Sequence, residues 1–193
     1  KLAQKLIALK FLYGSDILLR HLQVKLYEKY YEEGIVPARK KKTISGFRVI
    51  PIEKEVQEST EIQPYERVSE IIEANTRFAV AECICRKEQG LLGNECEKPK
   101  EVCIGFGDFA QFYIDNGMGR QISVDEALQI LDTAEEAGLV ACPTNSEKIE
   151  AICCCCSCCC PILRFAKIAP RPAEMVTSYY EAEIDPDECS ICG

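Results

Sequence analysis

The sequence predicts an α+β fold, with N-terminal helices followed by a cysteine-rich domain of mixed helices and short strands. Three observations support this fold class. Leucines recur at helical spacing near the N-terminus. The segment 123–138 carries both a helix start signal and a helix stop signal. Short apolar runs end directly on cysteines, as in "RFAVAECIC" at 77–85, which is typical of strands that deliver ligands to a site.

The N-terminal segment, residues 1–46, is predicted to be helical. Apolar residues at helical spacing predict one helix over residues 1–13. Ser15 is a suitable N-cap for a second helix, which is expected to run to about Glu33. Basic residues at 39–42 then form a loop. We interpret this loop as a solvated turn, with a docking patch for an acidic redox partner as the alternative.

A second domain is predicted over residues 47–176. It begins with a short strand at 47–52, which Pro51 places at a sheet edge because proline cannot donate to a ladder. Pro64 is expected to open a helix that ends near Asn75.

The cysteine-bearing half of this domain starts at residue 77. The strand at 77–85 is expected to carry Cys83 and Cys85 at its end. Pro99 is well suited to the first position of a following helix. Cys103 would then lie near the start of that helix, where backbone N–H groups favour a thiolate.

The segment 123–138 is the most clearly signalled element of the chain. Ser123 and Glu126 have the spacing of a capping box, and Gly138 is a typical residue after a helix end. The apolar stretch "LVAC" at 139–142 follows as a predicted strand and leads towards the cysteine run.

Seven of the eight residues from Cys153 to Cys160 are cysteine, with Ser157 as the exception. Adjacent Cα atoms lie about 3.8 Å apart, whereas a disulfide usually needs about 4.4–6.8 Å between them. The run therefore cannot pair within itself without strain. Pairing it with distant partners would consume all the other cysteines of a chain that has 14. A disulfide scaffold is disfavoured for this reason.

Metal binding explains the cysteines better, because the others also occur in ligand-like groups. Cubane [4Fe–4S] clusters use four thiolates, and zinc also accepts four. Zinc sites, however, usually show two separated C-x2-C pairs or combine cysteine with histidine. Outside the run, the cysteines of this chain show neither arrangement. A further C-x2-C pair, Cys189 and Cys192, lies at 189–192. Four other cysteines follow a C-x-C-x10-C-x6-C spacing: Cys83, Cys85, Cys96 and Cys103.

The cysteine run itself can serve more than one centre. In an extended stretch, neighbouring side chains point to opposite sides. Cys153 and Cys155 would then face one way, and Cys154 and Cys156 the other. The run can contribute to two clusters or wrap a single non-cubane cluster, and its spacing leaves open which thiols are ligands.

Composition and charge exclude other classes of function. The chain has 193 residues, of which 47% are hydrophobic, which is enough for a core that does not depend on metal alone. Its formal net charge of −8 gives no electrostatic case for binding nucleic acid or an anionic membrane. No segment approaches the roughly 20 apolar residues that a membrane-spanning helix needs.

Four blocks, in this order, resemble a family of ferredoxin-type 4Fe–4S-binding proteins of anaerobic bacteria and archaea. The blocks are "CICRKEQGLLGNECEKPKEVCIGFG", "GRQISVDEALQILDTAEEAGLV", "ICCCCSCCC" and "SYYEAEIDPDECSICG". The resemblance spans roughly residues 47–193. It implies low-potential electron transfer in the cytoplasm. We expect a protein with this role to pass its electrons to a partner redox protein.

The resemblance also implies which thiols hold metal. The family commonly reads I-C-N-C-C-G-C-C-C at the run, so Cys154 occupies a position where relatives have no thiol. Residues 177–193, with Cys189 and Cys192, resemble the start of an incomplete C-terminal ferredoxin-like module. The positions of the run that match the family pattern are Cys153, Cys155, Cys156, Cys158, Cys159 and Cys160.

The sequence therefore predicts an iron–sulfur electron-transfer protein with one or more 4Fe–4S-type clusters and no catalytic residue of its own. Three alternatives stay open: a redox-sensing regulator that uses iron–sulfur or zinc, an enzyme with an open iron site, and a zinc storage or structural protein. Cys142 is either a further ligand or a small buried apolar residue, and the second interpretation is favoured.

Overall fold

The computed structural model describes residues 17–30, 33, 48–51, 67–146, 148–176, 178, 180 and 184–190. The predictions for the helix at 1–13, the basic loop at 39–42 and the helix start at Pro64 lie outside these residues.

A five-stranded sheet organises the described part of the chain. Its order is β3-β1-β2-β5-β4, and every pair of neighbours is antiparallel. The backbone N–H groups of Arg48 and Ile50 donate to Pro143 and Ala141, so the predicted edge segment pairs with β4. The strands are β1 Phe78–Glu82, β2 Glu101–Phe106, β3 Gly119–Ile122, β4 Val140–Pro143 and β5 Ala151–Cys155.

Helices connect and cover these strands, which confirms the α+β fold class. A short 3₁₀ turn, Pro172–Met175, follows the last of them. The described α-helices are α1 Ile17–Tyr30, α2 Val68–Glu73, α3 Ile84–Leu91, α4 Gly107–Asp115, α5 Val124–Glu136 and α6 Pro161–Ile168.

Helix α5 forms where its local signals predict it. The Ser123 hydroxyl accepts a hydrogen bond from the backbone N–H of Glu126 across 3.1 Å. Gly138 adopts a φ of +65°, the left-handed conformation that ends many helices. Apolar residues at helical spacing predict a buried stripe of Ala127, Leu128, Leu131 and Ala134; three of them are buried, whereas Leu128 is 40% exposed. Local sequence is sufficient here because the cap, the apolar stripe and the stop agree.

The predicted helix beginning at Pro99 is wrong, because Glu101–Phe106 forms strand β2. Val102, Ile104 and Phe106 are buried, and the alternate residue Cys103 points to the other face. β-Branched and aromatic residues at every second position fit a strand better than a helix. The helix begins at Gly107 instead, and Cys103 lies within β2 rather than at a helix start.

The prediction for the C-x-C pair is corrected in a similar way. Strand β1 ends at Glu82, Cys83 is the N-cap of α3, and Cys85 lies in the first turn of that helix. A helix start, rather than a strand end, therefore presents these two thiols.

The main hydrophobic core lies on one face of the sheet. Val80 pairs with Ile104, which pairs with Ile152, and all three side chains are fully buried. They belong to one cluster with Leu131 of α5. Large residues line this face, so it contributes most of the apolar burial.

The opposite face carries small residues beneath α4. Ala79, Gly105 and Ala151 are paired across three strands. A Cβ atom at Gly105 would lie 2.8 Å from the ring of Phe109, so glycine allows α4 to approach closely. Because alternate residues of a strand share a face, Cys103 follows on this same side. This face positions the candidate site.

Candidate metal centre

Four thiols beyond the end of β5 form a compact group, here called the outer tetrathiol: Cys96, Cys156, Cys158 and Cys159. Their Sγ atoms all lie within 4.8 Å of one another. The distance is 3.6 Å from Cys96 to Cys158 and 3.8 Å from Cys158 to Cys159. Four thiolates at a metal–sulfur distance of ~2.3 Å around one tetrahedral ion stand ~3.8 Å apart. These four residues therefore fit a thiolate-bound metal.

A tight turn places three of these thiols. The backbone N–H of Cys160 donates to the carbonyl oxygen of Cys156 across 2.9 Å, which reverses the chain directly after β5. Cys156 and Cys159 are buried, whereas Cys158 is exposed near the tip of the turn. One edge of the outer tetrathiol thus faces solvent.

The fourth thiol, Cys96, comes from the loop after α3. Gly93 turns this loop with a φ of +85°. The Asn94 backbone N–H donates to the Gln89 carbonyl oxygen across 2.8 Å, and the Asn94 side chain donates to Gln89 Oε1 across 3.1 Å. Gln89 in turn donates to a carboxylate oxygen of Glu28 on α1. The start of the loop that carries Cys96 is therefore tied to α3 and, through Gln89, to α1.

A second set of thiols, here called the inner thiol group, lies along the α4 face of the sheet and at two helix starts. The Cys155 thiol interacts directly with the thiols of Cys142, Cys153 and Cys160. Cys160 also interacts with Cys85, which continues the chain of sulfur atoms to α3. The members of the group are Cys83, Cys85, Cys103, Cys142, Cys153, Cys155 and Cys160.

Neighbouring thiols of the inner group shift one another's pKa in opposite directions. The thiol of Cys103 hydrogen-bonds to Cys153, which lowers the pKa of Cys153 and raises that of Cys103. Interactions with the thiols of Cys155 and Cys85 lower the pKa of Cys160 to about 3. In each pair one sulfur donates and the other is the favoured thiolate. The group is therefore chemically suited to hold several thiolates once protons are displaced.

Two helix N-termini favour thiolates in this group. Cys83 is the N-cap of α3, and Cys160 is the N-cap of α6, whose first residue is Pro161. The Cys85 thiol is the largest cause that lowers the pKa of Cys83 to about 6, and the backbone N–H and charge of Arg86 add to it. The positive ends of helix dipoles stabilise anionic sulfur at such positions.

Arg86 lies between the inner and outer thiols. Its side chain is only 1% exposed, and Nη2 donates to the carbonyl oxygen of Cys154 across 3.0 Å. Nε and Nη1 have no nitrogen or oxygen partner in the described part of the chain. Burial lowers the pKa of Arg86, but the charge of Cys83 and interactions with Cys156 and Cys96 raise it overall. A buried cation thus adjoins both sets of sulfur atoms.

Within the outer tetrathiol, Cys96 is the favoured thiolate. Burial opposes its ionisation, yet the Lys98 backbone N–H and the neighbouring thiols lower its pKa to about 7. Burial and the thiols of Cys156 and Cys96 raise the pKa of Cys158. Cys96 is therefore the first of these four residues expected to bind a metal ion.

The structure separates the cysteines that sequence spacing had grouped. Cys96 lies in the outer tetrathiol, whereas the other members of the C-x-C-x10-C-x6-C set lie in the inner thiol group. Cys154 belongs to neither group, because its side chain lies on the face of β5 opposite that of Cys153 and Cys155, where it packs in the main core. Cys189 is exposed and also in neither group as described, and Cys192 lies outside the described residues.

Sequence reasoning did not single out Arg86 or favour Cys142 as a site residue. A signal for Arg86 exists, because it lies three residues after Cys83 at a helix start and so shares its face. The signal for Cys142 is the pairing of β4 with β5, which sets Cys142 opposite Cys153. That pairing is a property of the folded sheet.

Comparisons with protein-family models, with curated proteins and with solved structures found no significant match for this chain. Among the described helices, none is both long and apolar enough to cross a membrane.

Proposed function

We propose that this protein is an iron–sulfur electron carrier that passes low-potential electrons to a partner redox protein. The observation that carries the proposal is the gathering of 11 of the 13 cysteines that the structure describes into two adjoining groups. A single tetrahedral ion needs only four thiolates, so this number of thiols exceeds what one structural zinc requires. Polynuclear iron–sulfur centres use thiolates almost exclusively.

The candidate ligands divide according to the two groups. Cys96, Cys156, Cys158 and Cys159 would hold metal in the outer tetrathiol. The inner thiol group contains the remaining predicted ligands at the described positions, except Cys189, which is exposed and in neither group. An iron–sulfur centre, when bound, accepts and releases single electrons without forming a bond to a substrate. The protein needs no catalytic residue for that role.

The surroundings of the thiols suit this role. Cys158 is exposed, so one ligand of the outer site is accessible to an approaching redox protein. Cys156 and Cys159 are buried, which shields the remainder of the site from water. The resemblance of the cysteine blocks to ferredoxin-type proteins adds support for a low potential and for the cytoplasm of an anaerobe as the setting.

A second candidate function is a metal-dependent redox sensor, in which the outer tetrathiol holds one zinc or iron ion. The spacing of its sulfur atoms favours this candidate, since all four lie within 4.8 Å. Each thiolate of a cubane binds a different iron, so its ligands stand farther apart than those on a single ion. Release of the ion on thiol oxidation would then be the regulated event.

Metal and sulfide analysis of anaerobically purified protein distinguishes the two candidates. We expect about four or more irons per chain with a matching amount of acid-labile sulfide. The reduced protein should show a paramagnetic resonance signal that Cys153→Ser, in the inner thiol group, weakens and Cys154→Ala leaves unchanged. Stoichiometric zinc with negligible sulfide would contradict the proposal and favour the sensor.

A further inference from the structure

We propose that the inner thiol group is a second metal centre, separate from the outer tetrathiol, and that Cys142 is one of its ligands. This inference rests on the metal-binding role proposed above, but it does not depend on which metal is native. It assigns the cysteines to two separate sets of ligands, a division that their spacing in the sequence left open.

The register of the sheet brings thiols of three strands together. Cys103 on β2 and Cys142 on β4 are both paired with Cys153 on β5, which lies between them. Residues that are directly opposite in an antiparallel pair have their side chains on the same face, with Cβ atoms about 4.5–5.5 Å apart. Cys155 lies two residues further along β5 and so shares this face. The strands therefore present a row of thiols on one surface.

Cys155 connects this row of thiols to a helix start. Its thiol interacts with Cys142, Cys153 and Cys160, and Cys160 connects onward to Cys85 on α3. Cys142, Cys155 and Cys160 are also the buried residues of a small cluster apart from the main core. The contact of Cys142 is thus with ligand candidates, rather than with the main hydrophobic core alone.

Buried cysteines also pack as small apolar residues, so the surroundings must decide between packing and ligation. Three features around the inner thiol group supply positive potential. The eight-residue helices α3 and α6 begin at Cys83 and Cys160, with their N-termini at these sulfur atoms. The guanidinium of Arg86 is buried beside Cys83, and among the residues that the structure describes its Nε and Nη1 have no nitrogen or oxygen partner. Neutral thiols gain little from these features, whereas metal-bound thiolates are stabilised by them.

The two groups also differ in the kind of centre that they fit. The sulfur atoms of the outer tetrathiol surround one point, whereas the inner thiols form an extended chain with more than four members. A centre with several metals distributes its thiolates over different ions and therefore needs such a wider array. The inner group matches a polynuclear centre better than a single ion.

Cobalt(II) titration of the reduced, metal-free full-length protein tests the proposal. The readouts are the stoichiometry from thiolate-to-cobalt charge-transfer absorption and the affinity against a competing chelator. We expect the wild type to bind more than one equivalent. Cys142→Ala should weaken a later equivalent by about tenfold or more, since loss of even an outer-shell partner weakens metal binding by about 10–100-fold.

Two variants serve as matched comparisons. Cys158→Ser should remove the equivalent bound by the outer tetrathiol and leave the inner one. Cys154→Ala removes a thiol from the other face of the same strand and should leave both equivalents. Circular dichroism of each metal-free variant establishes that it is folded.

Saturation of the wild type at one equivalent would overturn the second centre. Unchanged stoichiometry and affinity in folded Cys142→Ala would overturn the assignment of Cys142. If the purified protein contains zinc rather than iron, the electron-carrier proposal fails, but two equivalents with the expected variant pattern would still establish the second centre.

Discussion

The Nη2 atom of Arg86 donates a hydrogen bond to the carbonyl oxygen of Cys154 across 3.0 Å. This bond joins the start of α3 to the end of β5 and fixes the guanidinium between the two thiol groups. A buried cation at this place favours any state in which the surrounding sulfur atoms carry more negative charge. It should therefore influence both metal retention and reduction potential.

We expect Arg86→Met to lower the reduction potential of the bound centre, because removal of a nearby positive charge disfavours the addition of an electron. A unit charge a few Å from the centre changes the free energy of adding an electron by a few kcal/mol. A shift of 59 mV corresponds to a tenfold change in a one-electron equilibrium constant. The potential should therefore shift by on the order of 100 mV. Redox titration followed by paramagnetic resonance measures it.

Arg86→Lys is the control for this prediction, since it keeps the positive charge but not the planar guanidinium group. Its potential should lie between those of the wild type and Arg86→Met. An unchanged potential in Arg86→Met with full metal content would show that the guanidinium acts only in packing.

Cys154→Ala should leave the metal content unchanged, because Cys154 packs in the main core and belongs to neither thiol group. Loss of a small buried side chain should lower the free energy of unfolding by about 1–2 kcal/mol. Cys156→Ala, two residues along, should instead abolish binding at the outer tetrathiol. Metal analysis and urea denaturation of both variants check these outcomes.

Cys154→Asn is expected to destabilise the protein more than Cys154→Ala. The site is 2% exposed, and a buried amide without partners carries a cost of about 1–3 kcal/mol. Loss of metal on Cys154→Ala, with Cys156→Ala unaffected, would reverse the assignment of these two thiols.

Helices with local start and stop signals were predictable from the sequence, whereas the pairing of strands was not. The cap at Ser123 and the stop at Gly138 define α5 within its own residues. At 101–106, the start signal of Pro99 favoured a helix, but the buried alternation from Val102 to Phe106 favoured a strand between two partners. Tertiary pairing decided in favour of the strand.

The sequence was sufficient to predict that the cysteines form the site, but not which cysteines belong to which of the two groups. Linear spacing placed Cys96 with Cys103, whereas the fold puts Cys96 beside the turn after β5 and Cys103 on the sheet face. The register that sets Cys142 opposite Cys153 is fixed by the whole sheet. The sequence did not predict Arg86 as a buried site residue, because arginine is almost always exposed unless it is paired.

Gly119→Ala should destabilise the sheet by about 1–3 kcal/mol, because a Cβ atom there would lie 2.7 Å from the backbone oxygen of Val80. The neighbour is backbone on the paired strand β1, so it cannot rotate away. Thermal unfolding of the metal-free protein measures the change.

Gly90→Ala is the matched control, since no atom of the described part of the chain lies within 4 Å of a Cβ atom at this position in α3. This change should stabilise the protein by up to about 1 kcal/mol through helix propensity. Equal effects of the two substitutions would contradict the described approach of Gly119 to β1.

In metal-free protein, Cys96 should be alkylated faster than Cys158 near neutral pH. The pKa of Cys96 is lowered to about 7, so its thiolate is present above that pH and is lost as the pH falls through it. The pKa of Cys158 is raised, so Cys158 stays a thiol although it is exposed. Peptide mapping after brief iodoacetamide treatment across a pH series measures both rates.

Bound metal provides the control for this reactivity, because a coordinated thiolate is no longer free to attack. Protection of Cys96 by one added equivalent of zinc or cobalt is the expected result. Faster modification of Cys158 than of Cys96 at pH 7 would contradict the assignment of Cys96 as the favoured thiolate.

Removal of metal should loosen the loops that carry thiols while the sheet persists. The largest buried side chains of the core, such as Ile104 and Leu131, pack on the face opposite the inner thiols and need no metal to bury their apolar surface. The turn at 156–160 and the loop at 93–98 carry the four thiols of the outer tetrathiol, so metal binding is expected to supply much of their stability. Hydrogen exchange before and after anaerobic chelation should show lost protection in these two segments and retained protection in β1 and β2. Global unfolding on chelation would show that metal, rather than the apolar core, determines the stability of the sheet.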